Sequence, residues 1–110
     1  MRMWMVDPKC MCRKHLLGEH NEIHMFIGAI KKHKKLHGYL KNNLFEPKSL
    51  WDRHANIVQE MLNRGYNHQS ELEVVDISTL PDIKIDADKS LIDLITRCNS
   101  CRDHMISLDV

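Results

Sequence analysis

Residues 1–37 read MRMWMVDPKCMCRKHLLGEHNEIHMFIGAIKKHKKLH, a short apolar start followed by a long helical pattern. In residues 1–6 methionine alternates with Arg2, Trp4 and Val6. This pattern predicts a short extended segment with one face on the core. Asp7-Pro8 has the form of a helix start, since Asp can cap the first turn and Pro needs no N–H there; the helix can equally begin a turn later. Gly38 predicts the helix end. One helical stripe carries the apolar residues Leu16, Ile23, Phe26, Ile27 and Ile30.

Two further helices follow from the same reasoning. Ser49 and Asp52 form a start like a capping box, and Gly65 closes the second helix. Its predicted buried stripe is Leu50, His54, Ile57, Val58, Met61 and Leu62. The last helix is predicted from about Asp86, which caps it unless Asp88 does, to Met105. Its stripe is Leu91, Leu94, Ile95, Cys98, Cys101 and Met105.

Residues 68–85 separate the second helix from the last. They are acidic, contain Pro81 and show no sustained period, so they predict an irregular connection, with a short strand in LEVVDI as the alternative. Three helices without a hairpin signal or an internal repeat predict an all-α fold. We therefore expect a compact single domain over residues 1–110, with three main helices and an irregular connection before the last one.

Composition excludes several classes of protein. The formal net charge is +1, so the molecule as a whole does not attract nucleic acid, but basic residues dominate from Lys9 to Lys48 and acids from Glu71 to Asp93. No apolar run is long enough to cross a membrane. The start is interrupted too early, at Asp7, for a secretory signal. We expect a cytoplasmic, intracellular monomer.

The four cysteines occur as Cys10-x-Cys12 and Cys98-x-x-Cys101. Without a secretory signal they are expected to be thiols. We expect no cofactor and no metal. The alternative is a structural zinc held by these four cysteines, with His15 or His104 as substitute ligands. Of the eight histidines, most fall at helix-surface spacing, and His20 is interpreted as a hydrogen-bonded histidine at a helix contact rather than a ligand.

The strings HLLGEHNEIHMFIGAIKKH (15–33) and RHANIVQEMLNRGYN (53–67) resemble the first two helices of the pyrimidine-dimer DNA glycosylases, the endonuclease V-like enzymes of phages and some microbes. The ISTLPD turn and the final helix with RCNSCR are similar to the microbial branch. The resemblance covers nearly the whole chain. It implies an all-α enzyme that acts on damaged double-stranded DNA, removes a damaged pyrimidine and then cuts the abasic strand.

The resemblance also implies roles for particular residues. The family's nucleophile, the α-amine of the first residue, falls on Met1, and its essential glutamate falls on Glu22. DNA-binding positions fall on Arg2, His15 and Arg97. Two positions depart from the phage pattern, because Asn21 and Met25 stand where those enzymes carry arginines, and the phage enzymes' tail rich in Tyr, Trp and Lys has no counterpart before Val110. The expected DNA-binding residues are Arg2, His15, Asn21, Lys31, Lys32, His33, Lys35 and Arg97.

The residue types suit this chemistry. At pH 7 about a tenth of an ordinary α-amine is neutral, against well under a thousandth of a lysine side chain. Glu22 lies at the edge of the apolar stripe with Glu19 nearby, and both partial burial and like charge raise a carboxyl pKa. The lysine-rich tract from Lys31 to Lys41 is suited to binding phosphates without reading sequence.

Two other hypotheses remain open. The first is a non-catalytic helical DNA-binding or accessory module, possibly stapled by zinc, in which Glu22 is a surface residue. The second keeps the glycosylase and lyase chemistry but directs it at a different modified pyrimidine. Adding residues before Met1 separates catalysis from simple binding, because only the catalytic mechanism needs a free terminal amine.

Overall fold

The structure is a computed structural model that describes residues 1–68 and 70–108, and this part of the chain is helical without any strand. Five α-helices are formed in it: α1 (Arg13–Lys31), α2 (His37–Lys41), α3 (Leu50–Asn63), α4 (Ala87–Arg97) and α5 (Asn99–Leu108). Two 3-10 turns, Pro8–Cys10 and Pro47–Ser49, precede α1 and α3. The predicted all-α fold is confirmed, and the described part of the connection before α4 is irregular as expected.

Both ends of α1 differ from the predicted start at Asp7-Pro8 and the predicted end at Gly38. Asp7 caps the 3-10 turn by accepting from the Lys9 N–H, and α1 begins at Arg13, a turn later. The helix ends at Lys31 and not at Gly38, which lies inside α2. His33 takes the left-handed conformation with φ of 55°, so that its N–H and that of Lys34 bond back into the last turn without a glycine.

The second predicted helix is confirmed as α3, and Gly65 ends it with φ of 82°. Ser49 does not cap it through its side chain, because that hydroxyl bonds Glu46 instead. The predicted stripe is wrong at Leu62, which is 52% exposed. Arg53, which is buried, was not expected in the stripe.

The last predicted helix is two helices. Asp86 caps α4 by accepting from the Lys89 N–H. The chain then becomes extended at Cys98, with φ of −130°, and restarts as α5. This break turns the Cys98 thiol back to accept from the Cys101 N–H, so the physical reason for the break is local hydrogen bonding around the cysteines.

The N-terminal segment is threaded through the core. Met3, Trp4 and Val6 are all buried, so the expectation of a single buried face is wrong. Its backbone is held from several sides: the Met3 N–H donates to the Leu44 carbonyl, and the Trp4 and Val6 carbonyls accept from Ser90 Oγ and from Arg53. This fixes the start of the chain against α3 and α4.

The core lies where α1 and α3 pack on the N-terminal segment. Phe26 of α1 stacks on Phe45 with ring centroids 4.2 Å apart, and Tyr39 meets Phe26 edge to face. Leu16, Ile23, Leu50, Ile57 and Leu94 are fully buried around them. None of the helices in residues 1–68 and 70–108 has the length and apolar character needed to cross a membrane.

Candidate active site and ligand clusters

Glu22 lies beside the start of the chain. The backbone N–H of Arg2 donates a hydrogen bond to its carboxylate, and the positive charge of the Met1 α-amine is close enough to act on it. The packing of residues 3–6 into the core explains this juxtaposition, because it leaves Met1 and Arg2 to emerge alongside α1. The two residues that the resemblance assigns to catalysis are therefore neighbours.

Burial raises the pKa of Glu22, and the charge of Glu19 adds to that rise. The Met1 amine and Arg2 oppose it by favouring the ionised carboxylate. The direction agrees with the sequence-based expectation. A glutamate with a raised pKa beside an amine can exchange a proton near neutral pH more readily than a surface glutamate.

A groove of about 470 Å³ opens next to Met1. Its walls carry the basic side chains Lys32, Lys34 and Lys35, and Tyr39 and Met25 supply apolar surface. In the sequence these lysines follow the C-terminal end of α1, far from the first residue. Because α1 ends at Lys31 and the chain then turns back, they line the same groove as Met1. Lys34 belongs to the lysine-rich tract that was expected to bind phosphates.

The rest of the lysine-rich tract has other neighbours. Lys31 forms an exposed ion pair with Glu73 at 3.0 Å. His33 faces a separate groove on the other side of the turn, with His37 and Asp76. Of the predicted tract, the structure thus brings Lys32 and Lys35 to Met1 and directs Lys31 and His33 elsewhere.

Arg2 and Arg97 meet at one carboxylate. Asp93 accepts from Arg2 at 2.6 Å and from Arg97 at 2.9 Å, and these cations hold the pKa of Asp93 below its usual value, with the hydrogen bond from Arg2 the largest cause. The Arg2 guanidinium also lies 3.6 Å over the Trp4 ring. Both arginines line a shallow groove of about 560 Å³ with Lys89 and Asn43. Two predicted DNA-binding residues therefore share one surface.

Asn21 and His15 lie apart from that surface. Asn21 is exposed, and its side chain hydrogen-bonds the ring of His20. His15 is half-buried, with its ring against Trp4 and its Nδ1 turned toward two cysteines. The expectation that either residue contacts DNA stays a prediction.

Three cysteines and His15 converge between the start of α1 and the junction of α4 with α5. Cys12 Sγ lies 3.3 Å from His15 Nδ1 and 3.8 Å from Cys98 Sγ, and Cys101 Sγ lies 3.5 Å from His15 Nδ1. The four cysteines are thiols, as expected. The predicted set of four cysteines is corrected: His15 takes the place of Cys10 in this group, because Cys10 lies within the 3-10 turn whereas Cys12 and His15 lie at the start of α1.

Four histidines form a second cluster, which the sequence reasoning missed. His20 and His24 come from α1, His54 from α3 and His68 from the connection, and one ring nitrogen of each lies within 4.8 Å of the others. Burial, followed by the neighbouring histidines, lowers the pKa of His20 and of His54 to about 4. The available signal was the His20–His24 spacing of one helical turn together with His54 on the buried face of α3.

A family model described as pyrimidine dimer DNA glycosylase matches residues 1–74. That range contains Met1, Glu22, the lysine-lined groove and the four histidines, and it ends before α4. No curated protein and no solved structure matches the chain. Because the family model covers more than half of the 110 residues, this chain belongs to the pyrimidine dimer DNA glycosylase family.

Proposed function

We propose that this protein removes a damaged pyrimidine, in the first instance from a pyrimidine dimer, and then cleaves the abasic strand through a Schiff base on the Met1 α-amine. The observation that carries the proposal is the hydrogen bond from the Arg2 N–H to the Glu22 carboxylate. It puts a partly buried acid beside the terminal amine. The family membership supports a damaged pyrimidine as the substrate.

The first step forms a bond between the neutral α-amine and C1′ of the deoxyribose. The glycosidic bond breaks, and the pyrimidine leaves with its electron pair and takes up the proton that the amine loses. Glu22 in its protonated form then donates to the ring oxygen as the C1′–O4′ bond opens, which gives an iminium between Met1 and the sugar. The ionised Glu22 that results stabilises this cation.

The second step uses the same carboxylate as a base. Glu22 removes a proton from C2′, the iminium accepts the electron pair, and the 3′ phosphate leaves C3′ by β-elimination. Water hydrolyses the remaining Schiff base and restores the amine. One acid therefore completes a cycle in which its proton is donated once and recovered once, and the raised pKa of Glu22 suits both directions.

The groove beside Met1 supplies the contacts with DNA. Lys32, Lys34 and Lys35 would bind phosphates without reading sequence. Reaching C1′ in a duplex requires distortion or displacement of a nucleotide, and the apolar walls formed by Tyr39 and Met25 offer surface to an unstacked base.

Trapping with borohydride tests the mechanism. Protein with a native, untagged terminus is incubated with abasic-site duplex and sodium borohydride, and the adduct is located by mass spectrometry. We expect a stable link to Met1, and no adduct with protein that carries a Gly-Ser extension before Met1. Glu22→Gln should bind the duplex but lose strand cleavage by about 100-fold or more, whereas Glu71→Gln, an exposed control, should cleave normally. An adduct on a lysine, or full cleavage by Glu22→Gln, contradicts the proposal.

A second candidate is a DNA-binding module without catalysis. The departures at Asn21 and Met25 favour it, since both residues are exposed and neither carries the positive charge of the phage enzymes. The Gly-Ser extension separates the two candidates. A module without catalysis should bind damaged duplex equally with and without the extension and should cleave in neither form.

We also propose a structural zinc at Cys12, His15, Cys98 and Cys101. Tetrahedral zinc with bonds of about 2.3 Å to sulfur and about 2.0–2.1 Å to nitrogen has ligand atoms about 3.5–3.8 Å apart. The 3.3, 3.5 and 3.8 Å separations of the cluster come close to these values. Backbone N–H groups of Cys12 and Cys101 point at Cys101 Sγ and Cys98 Sγ, a support typical of zinc-bound thiolates.

A further inference from the structure

The four-histidine cluster joins three separate parts of the fold. Ring centroids of His20 lie 4.8 Å from His24 and 5.0 Å from both His54 and His68, and those of His54 lie 5.1 Å from His24 and 5.2 Å from His68. The rings meet edge to face or tilted rather than stacked flat. Their ring edges are therefore turned toward a shared space.

The Nε2 atoms of these histidines have no hydrogen-bond partner although all four are buried. A buried polar atom without a partner destabilises a fold, so four together are a large defect for a domain of this size. Such a defect calls for a group that satisfies all four nitrogens at once. Protons cannot serve, because four adjacent imidazolium ions would repel one another.

The outer nitrogens of two of the rings are already engaged. His54 bonds the Ser70 backbone and His20 bonds the Asn21 side chain. Since Nε2 is the unpartnered atom in both, these bonds belong to Nδ1, which leaves the Nε2 lone pair free to face the cluster. A ligating histidine usually has this arrangement, in which a hydrogen bond on the outer nitrogen fixes the tautomer and the ring orientation.

We propose that His20, His24, His54 and His68 bind a divalent transition metal, with zinc as the expected ion. One ring nitrogen of each lies within 4.8 Å of the others, and a tetrahedral zinc–nitrogen site needs nitrogens about 3.3 Å apart, which small rotations of the rings provide. Neutral imidazoles suit zinc, nickel or cobalt and do not suit calcium or magnesium. Four protein ligands leave no open position, so this site is structural.

The site would tie α1 to α3 and to the connection after α3. His20 and His24 are one turn apart on α1, and Glu22, two residues from each, points to the opposite side of that helix. The metal would thus fix the position of the helix that carries Glu22 from the opposite side of that helix. This inference does not depend on the proposed chemistry, because it rests on the histidines alone.

Metal counting in a variant that lacks the cysteine site gives the direct test. The full chain with Cys101→Ser is loaded with zinc and dialysed, and its zinc content is measured by mass spectrometry. We expect one zinc per chain to remain, with an X-ray absorption spectrum that shows only nitrogen neighbours at about 2.0–2.1 Å. A Cys101→Ser protein that is folded by circular dichroism and retains no zinc overturns the proposal.

Histidine variants give the converse test. His68→Asn changes a residue outside the helices, and we expect it to remove one zinc per chain while the far-ultraviolet spectrum stays unchanged. His37→Asn, which replaces an exposed histidine outside the cluster, should remove none. Retention of the full zinc content by His68→Asn, and again by the double variant His20→Asn/His54→Asn, contradicts the site.

X-ray absorption and cobalt substitution of the unmodified protein give a third test. With both sites loaded, its absorption spectrum should fit five nitrogens to three sulfurs over two zinc ions, and cobalt substitution should show sulfur-to-metal charge transfer for only one of two bound ions. A single zinc with three sulfurs and one nitrogen would mean that the histidine cluster holds no metal.

Discussion

Arg53 donates two hydrogen bonds to Glu19, from Nε to Oε2 at 2.7 Å and from Nη2 to Oε1 at 2.9 Å, and both side chains are excluded from solvent. A third donor of Arg53 reaches the Val6 carbonyl. One guanidinium therefore holds α1, α3 and the N-terminal segment together. A buried charge of this kind is stable only while its partner is present.

We expect Glu19→Gln to lower the free energy of unfolding by about 3–5 kcal/mol, because it leaves the Arg53 charge buried without a counter-charge. Urea denaturation followed by circular dichroism measures the loss. Glu73→Gln, which breaks the exposed pair with Lys31, is the matched control and should cost no more than about 1 kcal/mol. Equal losses in the two variants would show that the buried pair adds nothing beyond a surface one.

Glu22→Gln should be more stable than the parent protein at pH 7. The folded protein raises the Glu22 pKa above its ordinary value of 4.5, so folding favours the protonated form. The favourable contribution is complete below pH 4.5 and is lost as the pH rises through the folded pKa, where the ionised carboxylate is penalised by burial. Denaturation midpoints should therefore differ at pH 7 and converge near pH 4. A variant that is less stable at pH 7 would contradict this account.

The lysine-lined groove should govern the salt dependence of DNA binding. Replacing Lys32, Lys34 and Lys35 by alanine removes three phosphate contacts at most, and each is expected to reduce the slope of log K against log salt by about 0.9. Fluorescence anisotropy with undamaged duplex at several salt concentrations measures the slope. Lys84→Ala, outside this groove, serves as the control. An unchanged slope in the triple variant would remove the groove from the DNA interface.

Asp93→Asn tests whether Arg2 and Arg97 contact DNA. The substitution removes the carboxylate that both guanidiniums now bond, so both become available to phosphates and duplex affinity should rise several-fold. Arg97→Ala should weaken binding in the same assay. Asp88→Asn, on the exposed first turn of α4, controls for the loss of one negative charge. Equal gains in the two aspartate variants would indicate a general charge effect alone.

Chelation of zinc should destabilise the fold. A ligand held at about 1,000 times its dissociation constant adds about 4 kcal/mol to the free energy of unfolding, so removal of zinc from the cysteine site should lower the thermal midpoint by several degrees. Cys98→Ser should show a low midpoint from the outset and a smaller response to the chelator. Identical midpoints with and without the chelator in the parent protein would argue against structural zinc at both clusters.

The sequence by itself determined the helical class and the extent of α3, and the resemblance supplied the residues proposed for catalysis. Apolar side chains at the helical period and Gly65 at the end of α3 depend only on residues that are close in the chain. Such local patterns can therefore be recognised from the sequence alone. The proximity of Glu22 to the start of the chain followed from the resemblance and not from the periodicity. Nothing local predicted that His33 would end α1 or that Cys98 would divide the last helix.

Only the tertiary structure decided which distant residues meet. Cys98 and Cys101 reach Cys12 and His15 because the helix break turns the chain back, and His54 and His68 reach His20 because α3 packs on α1. Arg53 is buried because Glu19 and the Val6 carbonyl lie opposite it. Such groupings depend on how the helices pack, and the spacing within a single helix carries no information about what lies across the interface.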